Sequence, residues 1–233
     1  MKTVIVTGNA GAGKSTICGM LAQHMPSEVI FLSDRLLLEE LVKSDTKNQY
    51  SKIIKQGPKG KLKFTITDGS ITNTMLELMV EFISKYTNET RHLIVEIAIG
   101  PDIALEERET LMQSATNLVR LLRENSAQYS DTYLIYLKSD FSTRLIRQHK
   151  REDSIPNDTF REYFQDGGEF SRDDIRVLST LGIKFKGFNN TNLNTLEELH
   201  ESIVEFLNIE AHVKPDLGML YSYYQELINV NVG

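Results

Sequence analysis

A glycine-rich stretch near the start of the chain constrains the fold more than any other feature of the sequence. It runs from Gly8 to Ser15 as Gly-Asn-Ala-Gly-Ala-Gly-Lys-Ser and follows the apolar run Val-Ile-Val at residues 4–6. Glycines at this spacing let the backbone curl so that successive N–H groups point at one anion, and the following helix adds the positive end of its dipole. The stretch therefore predicts a strand, a tight loop and a helix that together bind phosphate.

The last residues of this stretch indicate what it would hold. We expect Lys14 to reach the β- and γ-phosphates of a nucleotide, and Ser15 to place its hydroxyl on a bound Mg²⁺. The alternative is an ordinary glycine turn ahead of a helix. The residues expected against the nucleotide are Gly8, Asn9, Ala10, Gly11, Ala12, Gly13, Lys14, Ser15 and Thr16.

Short apolar runs alternate along the chain with segments of helical periodicity, a pattern typical of a parallel sheet covered by helices on both faces. The predicted strands are residues 3–7, 28–32, 93–97, 133–137 and 183–188. With 233 residues, 40% of them hydrophobic, the chain is long enough to bury a sizeable core. We predict an α/β fold with a five-stranded parallel sheet.

Charge and cysteine content indicate where the protein works and which partners it binds. A formal net charge of −6 argues against a surface built for general nucleic-acid or membrane binding. The single cysteine, Cys18, cannot form an intrachain disulfide, and the N-terminus leads into a strand rather than a signal sequence. No apolar stretch of the sequence is long enough to span a bilayer. We expect a cytoplasmic protein without a membrane partner, and the net charge disfavours a nucleic-acid partner.

Side chains at the ends of two predicted strands are candidates for chemistry, because ligands of an open parallel sheet bind beyond the carboxyl ends of its strands. After the second strand, Asp34 could act on an acceptor hydroxyl as a base or metal-shell carboxylate, and Arg35 could clamp an anion. The alternative is that Ser33 caps a helix and Asp34 favours its first turn. Glu96, at the end of the third apolar run, could hold Mg²⁺ or be an ion-paired structural residue.

A further candidate is a row of arginines on the helix predicted after the fourth strand. The row consists of three residues that share one side of the helix, roughly opposite the apolar residues and His149: Arg144, Arg147 and Arg151. We expect this row to be exposed, to neutralise phosphates and to lead into a flap over residues 151–172. We expect His149 to be a packed histidine. The alternative for the arginines is a solvated basic face.

The loop at residues 8–16, the pair Asp34-Arg35 and the Arg-x-x-Arg-x-x-x-Arg helix together resemble the P-loop kinases of nucleosides, nucleotides and other small metabolites. The resemblance implies a flexible lid at about residues 144–172 that closes over the phosphates. It also implies that Asn189 and Asn190 lie beside the adenine, with ATP and Mg²⁺ as cofactors. The residues expected to act in catalysis are Lys14, Asp34, Arg35, Glu96, Arg144, Arg147 and Arg151.

This resemblance implies an enzyme that moves the γ-phosphate of ATP to a small acceptor, with a nucleoside or nucleotide preferred. Two alternatives stay open. One is a polynucleotide 5′-kinase, which the basic residues Lys59, Lys61 and Lys63 would suit. The other is a regulatory or assembly P-loop NTPase. We expect a kinase domain over residues 1–210 and a helical tail over residues 211–233, in a chain that could form a homodimer.

Overall fold

Parallel pairing of five strands builds the sheet on which the candidate residues lie. The computed structural model describes residues 2–25, 29–56, 62–86, 91–100, 113–125, 129, 131–150, 157–165, 167–191 and 196–209. Its strands are β1 (Thr3–Gly8), β2 (Val29–Ser33), β3 (Ser51–Gln56), β4 (Leu62–Ile66), β5 (His92–Ala98), β6 (Thr132–Lys138) and β7 (Lys184–Asn189). The five-stranded sheet has the order β2-β5-β1-β6-β7 and every pair in it is parallel, which confirms the predicted α/β fold.

Helices cover both faces of this sheet, as predicted. They are α1 (Lys14–His24), α2 (Asp34–Ser44), α3 (Ser70–Tyr86), α4 (Ala115–Glu124), α5 (Phe141–His149), α6 (Asn157–Phe164), α7 (Arg172–Thr180) and α8 (Leu196–Leu207). Because side chains alternate across a strand, Val4 and Val6 of β1 pack with α1 and α8, whereas Ile5 packs in the core with α2, α3, α4 and α7. None of the described helices is long and apolar enough to cross a membrane.

The two remaining strands, β3 and β4, pair antiparallel in a hairpin that the sequence analysis did not predict. On β3, Ile53 and Ile54 are adjacent and both exposed, at 44% and 56%, so this strand shows no alternation of apolar and polar residues. β4 does alternate, with Leu62, Phe64 and Ile66 packed against the core, but its five residues are a short signal. Leu62 anchors the hairpin instead. Its side chain is buried, and its carbonyl accepts a hydrogen bond from Arg35 Nη2 at 2.6 Å.

Several predicted features fall wholly or partly outside the described residues. Lys59, Lys61 and Arg151 lie outside them, as does the predicted tail over residues 211–233. Lys63, the third basic residue of its segment, is described and is exposed on β4.

The segment predicted as a lid contains α5 and α6 in its described part. Phe160 of α6 is fully buried and stacks on Phe141 of α5, with ring centroids 5.8 Å apart. The chain then turns through Gly167 and Gly168, whose φ angles are 84° and 78°. This turn lies against the glycine-rich loop, because Asn9 Nδ2 donates a hydrogen bond to the Gly167 carbonyl at 3.2 Å.

The start of α7 fixes the segment that follows this turn, and it is a capping box. Asp174 N donates to Ser171 Oγ at 3.1 Å, and Ser171 N donates to the Asp174 carboxylate at 2.9 Å. We expect Ser171→Ala to lower the free energy of unfolding by about 1 kcal/mol in urea denaturation, because one N–H at the start of the helix loses its acceptor. Ser171→Asn, which keeps an acceptor, is the control. An alanine variant as stable as the wild type would contradict this role.

Candidate functional site

The loop between β1 and α1 needs its glycines at two positions. Gly13, at the start of α1, has a left-handed φ of 96°, and an added Cβ would lie 2.4 Å from Asn190 Nδ2. Gly8 has a φ of 150°, and an added Cβ would lie 2.5 Å from the carbonyl oxygen of Leu137. A side chain at either position would therefore displace neighbouring atoms and distort the loop. The other predicted loop residues lie between or just after these glycines: Asn9, Ala10, Gly11, Ala12, Ser15 and Thr16.

Lys14 holds a positive charge over this loop. The side chain is 7% exposed, and its Nζ donates to the carbonyls of Gly8 at 3.0 Å and Asn9 at 3.1 Å. Both carbonyls accept hydrogen bonds from the ammonium and hold it at the loop. An anion that entered the loop would therefore meet a positive charge that is already in position.

Ser15 and Glu96 form the second feature of the site. Ser15 Oγ donates to Glu96 Oε1 at 2.7 Å, and Glu96 is 6% exposed within β5. A hydroxyl and a carboxylate are oxygen ligands of the kind that Mg²⁺ prefers, with phosphate oxygens and waters completing its shell. Among the described residues, no three His, Cys, Asp or Glu side chains cluster as a metal site.

Asp34 is the first residue of α2 and is buried against the end of β5. Its Oδ2 accepts hydrogen bonds from Ala98 N at 2.5 Å and from Gln113 Nε2 at 3.2 Å, while Oδ1 accepts from Arg35 N at 2.6 Å. Burial raises the pKa of the Asp34 carboxyl, and the nearby Lys14 charge opposes that rise. Gln113 could not be predicted from the sequence, because 79 residues separate it from Asp34 and no motif links the two.

The Cys18 thiol shows that these charged groups lie close together. Burial is the main cause that raises the pKa of this thiol, and the Glu96 charge raises the pKa further. Lys14 lowers the pKa and Asp34 raises it, so three of the predicted site residues act on one buried atom in α1. The fold thus gathers Lys14, Asp34 and Glu96 at the carboxyl ends of β1, β2 and β5.

Arg35 packs against the β3–β4 hairpin. Besides its bond to Leu62, its Nε lies 2.8 Å from Glu39 Oε1, and its guanidinium lies 4.7 Å from the centre of the Phe64 ring. These contacts join α2 to the hairpin. The role of Arg35 as an anion clamp remains a prediction.

The expected row of exposed arginines is wrong for Arg144. Arg144 is 3% exposed and donates to three backbone carbonyls, those of Ser139 at 3.0 Å, Phe164 at 2.6 Å and Gln165 at 3.2 Å. The helical periodicity predicted that the apolar side of α5 is buried, but the buried side of this helix is polar. Arg144 and Gln148 form its buried positions, and His149, expected to be packed, is exposed.

Arg147 joins the glycine-rich loop to the segment after β7. Its Nη1 donates to the Gly11 carbonyl at 3.3 Å, and its Nη2 donates to the Asn190 carbonyl at 2.9 Å. Asn190 is buried, and its Nδ2 donates to the Ala12 carbonyl at 2.8 Å. Asn189 is exposed at the end of β7. Three segments predicted to surround a nucleotide are therefore tied together by Arg147 and Asn190.

A cavity of about 440 Å³ opens beside the loop at Asn9. Tyr136, Phe141 and the ion pair of Lys138 with Glu169, 3.1 Å apart, line it. Burial, with the charge of Glu169, raises the pKa of Tyr136 to about 12, so its phenol is neutral and can donate or accept a hydrogen bond. The volume is typical of small-molecule sites.

Known structures share this fold. A sugar kinase from Janibacter sp. HTCC2649 matches with a TM-score of 0.55 at 16% identity, over 90% of this chain and 95% of that chain. The Deinococcus radiodurans tunicamycin resistance protein matches with a TM-score of 0.52 at 14% identity, over 90% of this chain and 96% of that chain. The sequence matches no family model and has no significant similarity to a curated protein. With its sheet order and glycine-rich loop, the chain has the P-loop kinase fold.

The burial of Arg144 predicts a large effect on stability. We expect Arg144→Ala to lower the free energy of unfolding by about 3 kcal/mol in urea denaturation, because it removes a buried side chain together with its three hydrogen bonds to backbone carbonyls. Arg161→Ala is the matched control, because both guanidiniums lie over the Phe141 ring, that of Arg144 at 5.4 Å and that of Arg161 at 5.7 Å, but Arg161 is exposed. The control should stay within about 0.5 kcal/mol of the wild type. Equal stability of the two variants would contradict the structural role of Arg144.

The buried Asp34 carboxyl predicts a pH dependence of stability. Its folded pKa is raised above the ordinary 3.8, so the folded protein holds this proton more tightly than the unfolded chain does. As the pH rises from 3.8 through the folded pKa, the wild type should therefore lose stability relative to Asp34→Asn, which cannot ionise there. Urea denaturation of both proteins over this pH range, in EDTA and without nucleotide, measures the difference. A difference that changes in the opposite direction would contradict the raised pKa.

Proposed function

We propose that the protein is an ATP-dependent phosphotransferase that moves the γ-phosphate to a small acceptor, with a nucleoside or nucleotide as the first candidate. The observation that carries this proposal is the arrangement of Lys14, the Ser15–Glu96 pair and Asp34 at one edge of the sheet. Phosphoryl transfer depends mainly on positioning the donor and compensating its charge, and these groups suit both tasks. A cytoplasmic location agrees with ATP and a metabolite as substrates.

The donor would be held by the glycine-rich loop. Lys14 would turn from the carbonyls of Gly8 and Asn9 to the β- and γ-phosphates, where its charge is more strongly compensated. Ser15 and Glu96 would hold Mg²⁺, which supplies charge compensation at the phosphates. Arg147, Asn189 and Asn190 would lie toward the rest of the nucleotide.

The acceptor would lie near Asp34. Among the described residues three donors occupy its carboxylate, which has about four lone-pair sites, and the remaining site would accept the proton of an acceptor hydroxyl. Gln113 and Ala98 would fix the orientation of the carboxylate while that proton is taken up at Oδ2 or Oδ1. We assign the cavity lined by Tyr136 and Glu169 to the body of the acceptor.

The choice of acceptors to test follows from the fold as well as from the site. One protein with this fold is called a sugar kinase, and another is called a tunicamycin resistance protein. The panel should therefore hold nucleosides, nucleoside monophosphates, sugars and tunicamycin. ADP release from Mg·ATP is measured with and without each compound, and transfer of radioactive γ-phosphate identifies the product.

Lys14→Ala tests whether the loop performs the transfer. We expect acceptor-dependent turnover to fall on the order of 100-fold or more, because a charge on the transferred phosphate loses its compensation. Lys85→Ala is the control, since Lys85 is 71% exposed on α3 and remote in sequence from the loop. Circular dichroism and thermal unfolding confirm that both variants are folded.

Two results would contradict the proposed function. One is a folded Lys14→Ala protein whose turnover matches that of the wild type. The other is ATP hydrolysis by the wild type at the same rate with every acceptor and with none, which would favour a regulatory NTPase instead.

A further inference from the structure

Ser33 lies at the end of β2, directly before α2, but its side chain does not cap that helix. It occupies the N-cap position of α2, with φ −123° and ψ 134°, but its side chain makes no capping hydrogen bond. The alternative role of the Ser33 hydroxyl as a helix cap is therefore wrong. Ser33 is 1% exposed, and its Oγ has no hydrogen-bond partner among the described residues. A buried hydroxyl without a partner is uncommon and points to a ligand or water that satisfies it.

The register of the sheet places this hydroxyl beside the Ser15–Glu96 pair. Ser33 is the parallel partner of Glu96, and neighbouring strands lie about 4.8 Å apart. Phe31 and Ile94, each two residues earlier on these strands, pack in the core formed with α1. Because side chains alternate, Ser33 and Glu96 face the same side, toward the helix that carries Ser15.

We propose that Ser33 is a positioning residue of the magnesium site, where its hydroxyl holds a water in the shell of the cation bound by Ser15 and Glu96. This inference rests on the proposed function. Mg²⁺ keeps several of its waters when it binds to a protein, and groups that orient the shell contribute to affinity without touching the metal. A neutral hydroxyl beside a buried carboxylate suits such a water, because it can accept one proton and donate another.

The chain offers a matched control for the loss of a buried hydroxyl. Thr132 is 0% exposed and its Oγ1 also lacks a partner in the described part of the chain. It begins β6 and pairs with Thr3, at the opposite end of the sheet from Glu96. Thr132→Val therefore removes a comparable hydroxyl far from the proposed cation.

The test measures binding of Mn²⁺ to the full chain in the presence of ADP. Electron paramagnetic resonance gives the concentration of free Mn²⁺ at each step of the titration. We expect Ser33→Ala to weaken Mn²⁺ binding to the ADP complex about tenfold, as changes around a metal shell do. ADP affinity in EDTA should be unchanged, and Ser33→Thr, which keeps the hydroxyl, should restore Mn²⁺ binding. Thr132→Val should bind Mn²⁺ as the wild type does. If Ser33→Ala does not fold, Ser33→Cys removes the hydroxyl while it preserves the volume.

Wild-type Mn²⁺ affinity in a folded Ser33→Ala or Ser33→Cys protein would overturn the inference and leave the proposed function standing. Equal losses in the Ser33→Ala and Thr132→Val variants would also overturn it, because the effect would then be general. A wild-type protein that binds no Mn²⁺ in the presence of ADP would instead count against the proposed function itself.

Discussion

The parallel pairing of β1 with β5 is the constraint on which the rest of the site depends. Its register sets Gly8 opposite Ala98 and Val6 opposite Glu96. The glycine-rich loop therefore begins beside the backbone N–H that holds Asp34, and Glu96 comes within 2.7 Å of Ser15. A slip of one residue would turn Glu96 to the opposite face and separate the pair.

This pairing also concentrates charge in a buried place. Lys14, Asp34 and Glu96 all act on the Cys18 thiol, and ionised groups with little exposure need partners to persist. The fold supplies them from the backbone: two carbonyls for Lys14, and the N–H groups of Ala98 and Arg35 for Asp34. A site held in this way is oriented before a ligand arrives, which is the condition for strong electrostatic stabilisation of a transferred phosphate.

The sequence predicts the features that depend on local pattern. The glycine spacing predicts the loop, and apolar runs predict the five parallel strands, because each signal lies within a short stretch. Contacts between distant segments leave no such signal. Gln113 reaches Asp34 across 79 residues, and Arg144 is buried because α6 brings the Phe164 carbonyl to it. The Arg147–Asn190 contact likewise forms only after β6 and β7 pair in the sheet.

The central claim is that the loop at residues 8–16 recognises the β- and γ-phosphates of a nucleotide, and binding of a nucleotide series measures it most directly. Isothermal titration of ATP, ADP, AMP and adenosine in Mg²⁺ into the wild type and into Lys14→Ala compares ligands that differ only in their phosphates. The account predicts that Lys14→Ala weakens the binding of ATP and ADP on the order of 100-fold and leaves any binding of AMP and adenosine unchanged, because these two lack the phosphates that meet Lys14. The same affinity of both proteins for ATP, or no binding of ATP to the wild type, would contradict it.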